Sequence, residues 1–250
     1  MNINRRSILY IIIMNLLLTS LVCSAEIYNY TVNLLFIPSL NLKMKIVPMQ
    51  NDQTKLEFTA NTNDFFDGFY KVENYYECIY NSENCLPQSR TKEIDQPGFR
   101  QQLSANYINS QINYSNGKAV DLSGPTYSFL SMLMYLRSKN GNDLASESIK
   151  VEVEGKFYRA IFHIVGQDEI KINEQKTLVN IIDIELEKLK SFQPVVKQSD
   201  LFFENVVNLE GKRRVWVEQG GARRIVKAKF SLKGTWLVAK LKGGRHQQNK

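Results

Sequence analysis

Two histidines, three cysteines and a few carboxylate pairs are the residues with which this chain could do chemistry. His163 lies in "YRAIFHIVG" between Phe162 and Ile164, an alternating run, and reads as a half-exposed strand histidine; His246 lies in the polar end "GGRHQQNK". Cys78 and Cys85 flank a segment of turn formers in "YYECIYNSENCLP". In an exported chain that spacing predicts a disulfide closing a turn. A zinc site wants shorter spacings and further ligands, and no histidine is near. With the thiols paired, no cysteine nucleophile is left. The sequence also lacks a G-x-S-x-G elbow, a phosphate-cradling glycine loop and an H-E-x-x-H helix. Asp183 and Glu185 share one face of a strand run and read as solvation, although carboxylates from distant strands could meet as a glycosidase pair. The expectation is a non-enzyme with no cofactor and no metal.

Charge is more informative. The chain has 32 Lys+Arg against 25 Asp+Glu, a formal +7. From Glu210 to Lys250 there are 12 basic and 2 acidic residues, against 18 and 23 over 26–209. If "EQGG" makes a hairpin turn, Arg213, Arg214, Arg223, Arg224, Lys227 and Lys229 fall on two adjacent strands. Like charges facing across strands are unfavourable, so these six are the candidate anion-binding residues. Lipid or lipopolysaccharide head groups, or an acidic envelope protein, are the partners they suit. A solvated basic face that aids solubility is the plainer account. Nucleic acid is not expected.

Export rests on the first 25 residues. "MNINRRSILYIIIMNLLLTSLVCSA" has Arg5 and Arg6, an apolar run from Ile8 to Val22 and a small-residue cleavage site, the layout of a signal peptide. The run is about 15 residues, short of the roughly 20 that span a bilayer. A retained anchor, or a lipoprotein signal acylated on Cys23, are the alternatives. Residues 1–25 are expected to be a signal peptide, 26–242 a single β-rich domain and 243–250 a disordered tail. The mature protein should then be periplasmic, with no transmembrane segment.

The elements that must hold these residues are mostly strands. "IKVEVEG", "NIIDIELEK", "RRVWVEQ" and "RIVKAKFSL" alternate apolar and polar residues. "SNGK" at 115–118 and "EQGGAR" at 218–223 read as turns. The pattern predicts one antiparallel sheet, curled or partly closed into a barrel. One long segment differs: "DLSGPTYSFLSMLMYLRSK" predicts a helix over 125–139, capped by Ser123 or Gly124. Phe129, Leu130, Leu133, Met134 and Leu136 give it an apolar stripe, and Ser128, Ser131, Arg137 and Lys139 a polar remainder. The stripe is expected to pack on or over the concave face of the sheet. It is either plain core or, through Phe129, Leu130, Leu133 and Met134, a lid on an apolar pocket.

The stretches "FYKVENYYE", "DLSGPTYSFLSMLMYLRS", "FYRAIFHIVGQDEI" and "RRVWVEQGGARRIVKAKFSLKGTWLVAKL" carry a resemblance. With Pro87, Asp121, Tyr135, Arg137, Trp216 and Leu241 at its marker positions, residues 27–242 resemble the bacterial domain-of-unknown-function family 3108. The resemblance implies an exported, mostly antiparallel β protein and no particular activity. Two functions follow as expectations. One is an envelope carrier that binds a lipid-like or other amphipathic anionic ligand. The other is an envelope-assembly scaffold that binds a protein partner through its basic face.

Overall fold

A computed structural model of the chain describes residues 24–63, 67–68, 70–144, 147–192, 194–232 and 235–243. Nearly all of the expected signal peptide and tail lie outside these residues. The described residues form one sheet. Its first half is β1 (Glu26–Leu34), β2 (Ile37–Pro48), β3 (Gln53–Thr62), β4 (Glu73–Asn81), β5 (Pro87–Gln96), β6 (Phe99–Ile108), β7 (Gln111–Tyr114) and β8 (Ala119–Asp121). The second half is β9 (Tyr127–Ser128), β10 (Ser148–Val153), β11 (Lys156–Ile172), β12 (Gln175–Phe192), β13 (Arg213–Glu218), β14 (Ile225–Leu232) and β15 (Thr235–Leu241).

Neighbours in sequence are neighbours in the sheet, so β1–β8 and β9–β15 are two meanders. They meet where β1 lies beside β15, with Val32 opposite Ala239. Among the described residues every pairing is antiparallel except the short β9–β10 bridge. Alternation decides the faces: on β1, Tyr28, Tyr30 and Val32 are buried while Asn29, Thr31 and Asn33 point outward. The sheet curls until Arg90 on β5 meets Glu152 on β10. Its end strands β8 and β9 do not pair. The expected curled, incompletely closed sheet is therefore the fold observed.

Among the described residues, three helices fill or flank the curl: α1 (Phe129–Ser138), α2 (Gly141–Leu144) and α3 (Leu201–Val206). The cap of α1 is Ser128, not Ser123 or Gly124. The Ser131 amide donates to Ser128 Oγ at 3.1 Å, and the Ser128 amide donates to Ser131 Oγ at 3.0 Å. Residues before that cap run extended as β9. Every residue from Phe129 to Leu136 is buried. The expected polar face is thus absent along those two turns, and Ser131 is 0% exposed because the capping box absorbs its hydroxyl. A helix buried all round runs through an interior rather than over a surface.

The expected disulfide is not formed: Cys78 and Cys85 are free thiols, both buried. Cys78 points inward from β4, its Sγ 3.4 Å from Ser128 Oγ. Cys85 ends the turn after β4 at φ 59°, its amide bonded to the Asn81 carbonyl. Each thiol takes a core position of its own. Burial pushes the Cys78 thiol up to about 12 and raises that of Cys85.

Candidate ligand cavity

The sheet's arc is too wide for one helix to fill. On the side formed by β1–β4 and β13–β15, a cavity of about 420 Å³ remains under α1 and α3. Leu130 and Leu133 of α1 and Phe202 of α3 form its inner wall; Met44, Phe58 and Phe230 belong to its outer wall. Ala60, Ala228 and Ala239 also line it, and their short side chains are why the space stays open. The wall is almost wholly apolar. Tyr70 and Leu201 line the cavity and are themselves exposed, so they mark its mouth.

Of the four residues expected to form a lid, Leu130 and Leu133 face the cavity. Phe129 stands behind them, its ring edge-on to Phe202 and Phe203 at 5.9 and 6.3 Å between centroids. Met134 is buried with its sulfur 3.9 Å from Arg137 Nη1.

The other side of the interior is filled with charge. Arg90 donates from one guanidinium nitrogen to both Glu152 oxygens, at 2.9 and 3.1 Å, and Glu152 also accepts from Tyr114, Tyr107 and the Gly155 amide. Lys92 bridges Glu154 and, at 3.0 Å, Asp200. Asp200 caps α3 through the amides of Phe202 and Phe203 and accepts the Tyr76 hydroxyl proton at 3.0 Å. All five charged groups are buried. Burial comes first among the influences that push Tyr76, Tyr107 and Tyr114 well above the usual phenol range, so each hydroxyl stays a donor. Tyr76 belongs to both sides, since its ring lines the cavity.

The structure does not bring the six basic residues together as one site. Arg213 turns inward and donates to the carbonyls of Ile184, Val206 and Asn208, which ties the end of α3 to the sheet. Burial lowers it to about 10. Arg214 forms a two-pronged pair with Asp183, and Arg224 one with Glu218. Arg223 donates to the carbonyls of Arg137 and Lys139, so it caps the C-terminus of α1. Arg137 answers with bonds to the carbonyls of Ala222 and Arg223 and an ion pair to Glu26. Lys227 and Lys229 face outward, stacked on Trp216 and Trp236 at 4.1 and 3.8 Å. His163 is exposed and bonded to Glu185 at 2.9 Å. Among the described residues no group of three His, Cys, Asp or Glu side chains could hold a metal ion.

No protein-family model and no curated protein matches this sequence. Among solved structures, a β-barrel-like protein of the domain of unknown function 1849 from Brucella abortus is similar. The TM-score is 0.52 at 8% identity, over 87% of this chain and 94% of that one. This chain has that β-barrel-like fold. At that identity the likeness shows the fold alone, so the resemblance to family 3108 gains no support beyond a shared β architecture. The residues behind that resemblance are spread thinly along alternating strands, and alternation is common to any such sheet.

Proposed function

We propose that the protein is a non-enzymatic carrier of an apolar chain, exported to the cell envelope, with the cavity under α1 as its binding site. The carrying observation is the cavity's size and lining: about 420 Å³, walled by apolar side chains and open at Tyr70 and Leu201. Small-molecule sites occupy roughly 300–1,000 Å³. An apolar chain lying in that space would touch apolar side chains on every wall, Leu133, Phe202 and Phe230 among them. The polar end of such a ligand would sit at the mouth, in reach of solvent. The envelope location is supported by the leader sequence alone.

Native mass spectrometry of the purified protein, followed by solvent extraction, tests this. Wild type should carry a bound mass that extraction releases as an apolar chain, and Ala228→Phe, which puts a ring into the cavity, should carry much less. Equal loading of the two proteins, or none in either after exposure to lipid, would sink the reading.

A further inference from the structure

Among the described residues, four hairpins of the sheet turn in two residues with both at positive φ. They are Leu35-Phe36 (49° and 70°), Asn109-Ser110 (51° and 59°), Glu154-Gly155 (54° and 82°) and Asn173-Glu174 (48° and 64°). Such turns suit Asn, Asp and Gly and cost a bulky side chain backbone strain. Three of the four are built from polar residues and glycine. The β1–β2 turn instead places Leu and Phe there, and neither packs on the protein: Phe36 is 96% exposed, Leu35 61% and the following Ile37 52%. Strain and exposed apolar surface both oppose folding, so these side chains serve something outside the chain.

Their position says what. Leu34, next to the turn, lines the cavity. Asn63 donates its side-chain amide to the Pro38 carbonyl, tying the turn to the β3–β4 connection that carries the rim residue Tyr70. The turn therefore stands at the mouth. Beside it, β14, β15, β1 and β2 are adjacent in that order. The only carboxylate on those four strands is Glu26, which Arg137 holds. Their outer faces carry Lys43, Lys227, Lys229 and Lys240, with Lys227 directly opposite Lys240. Lys229 pairs with Val238, which pairs with Asn33. That puts it level with the second residue before Leu35, about 7 Å along the strand.

We propose that this turn and its lysine flank dock the cavity mouth onto an anionic lipid bilayer. Leu35, Phe36 and Ile37 enter the boundary between head groups and acyl chains, and the lysines meet the lipid phosphates. Charge complementarity selects the occupant: an apolar tip flanked by ammonium groups matches a surface that is anionic outside and apolar beneath. The half-buried Trp236 ring under Lys229 is an amphipathic group of the kind that settles at such a boundary. The inference builds on the carrier reading, because docking at the mouth gives a chain a path from bilayer to cavity without crossing water.

Flotation with vesicles of pure phosphatidylglycerol or pure phosphatidylcholine tests it. Wild type should float with the anionic vesicles, more weakly with the neutral ones, and less as salt screens the lysines. Leu35→Asn with Phe36→Gly installs the preferred turn pair. It should keep or raise the melting temperature while weakening flotation at least about tenfold. Lys227→Gln, Lys229→Gln and Lys240→Gln together should weaken anionic binding and flatten its salt dependence. Uptake of the neutral dye N-phenylnaphthylamine without vesicles should be unchanged in both variants. Wild type that stays behind, or a turn variant that floats as well as wild type, overturns the docking. Dye exclusion by a protein that still floats overturns the carrier reading alone.

Discussion

Between β5 and β10 the interior is packed with charge, while between β1–β3 and β14–β15 it is an apolar cavity. The two sides solve different problems. The sheet's end strands share no ladder, so the curl must be held by side chains, and Arg90–Glu152 and Lys92–Glu154 clasp β5 to β10 and its turn. Buried ion pairs add little net stability over apolar packing, but a broken one leaves a charge stranded. Such a clasp penalises misplacement heavily, which suits a closure that must form in one register. With the curl held there, the far side can keep a void without collapsing onto α1. Tyr76 joins the two, its ring on the cavity and its hydroxyl on Asp200.

The largest effect should come from cutting the clasp. Glu152→Ala strands the Arg90 guanidinium and should cost about 3–5 kcal/mol, read from urea unfolding. Arg90→Met with Glu152→Leu should recover much of that loss. If the double variant were as unstable as the single, packing and not charge would be closing the sheet. Next, Ser131→Asp and Leu133→Asp should both destabilise by about 3 kcal/mol or more, because each buries an unpaired carboxylate. A cheap Ser131→Asp would put that face of α1 at the surface and remove the contrast between a charged and an apolar side of one interior.

Ala228→Phe, which occupies part of the cavity, should act with the opposite sign, raising the melting temperature of the ligand-free protein by an amount worth about 1 kcal/mol. A loss of stability there would mean the cavity wall is already tight. The smallest effect is chemical. With its thiol pushed up to about 12, Cys78 should resist alkylation in the folded protein at neutral pH. Unfolding should expose both cysteines as thiols. Peptide mapping that recovers a Cys78–Cys85 disulfide would contradict the free thiols of the core.

Much of the sheet was legible because alternation is a local signal: "SNGK" and "EQGGAR" fall between β7 and β8 and between β13 and β14 as expected. The helix was legible as a helix, but not its surroundings. Ser128 and Ser131 look polar in sequence, and only their mutual bonds let both be buried. The clasp was hidden for the same reason. "VEVEG" reads as a strand with two wet glutamates, whereas Glu152 and Glu154 are buried because Arg90 and Lys92, some sixty residues earlier, answer them. Helix α3 left a trace that was missed: Asp200 before "LFFE" is an N-cap followed by apolar residues. The six basic residues looked like one surface because charge in sequence does not show partners; Asp183, Glu218 and backbone carbonyls take up the four arginines. The cavity left no trace, since an alanine lining a void and one packed in a core read alike.

The direct test of the cavity side is to see what binds there. Crystals of delipidated protein soaked in a brominated alkane would locate the ligand by the anomalous scattering of bromine. If the cavity receives an apolar chain, the bromine peak should lie among Leu133, Phe202, Phe230 and Ala228, with the alkane running towards Tyr70 and Leu201. Ordered water throughout that space, a collapsed wall, or bromine found only on the outer surface would contradict it.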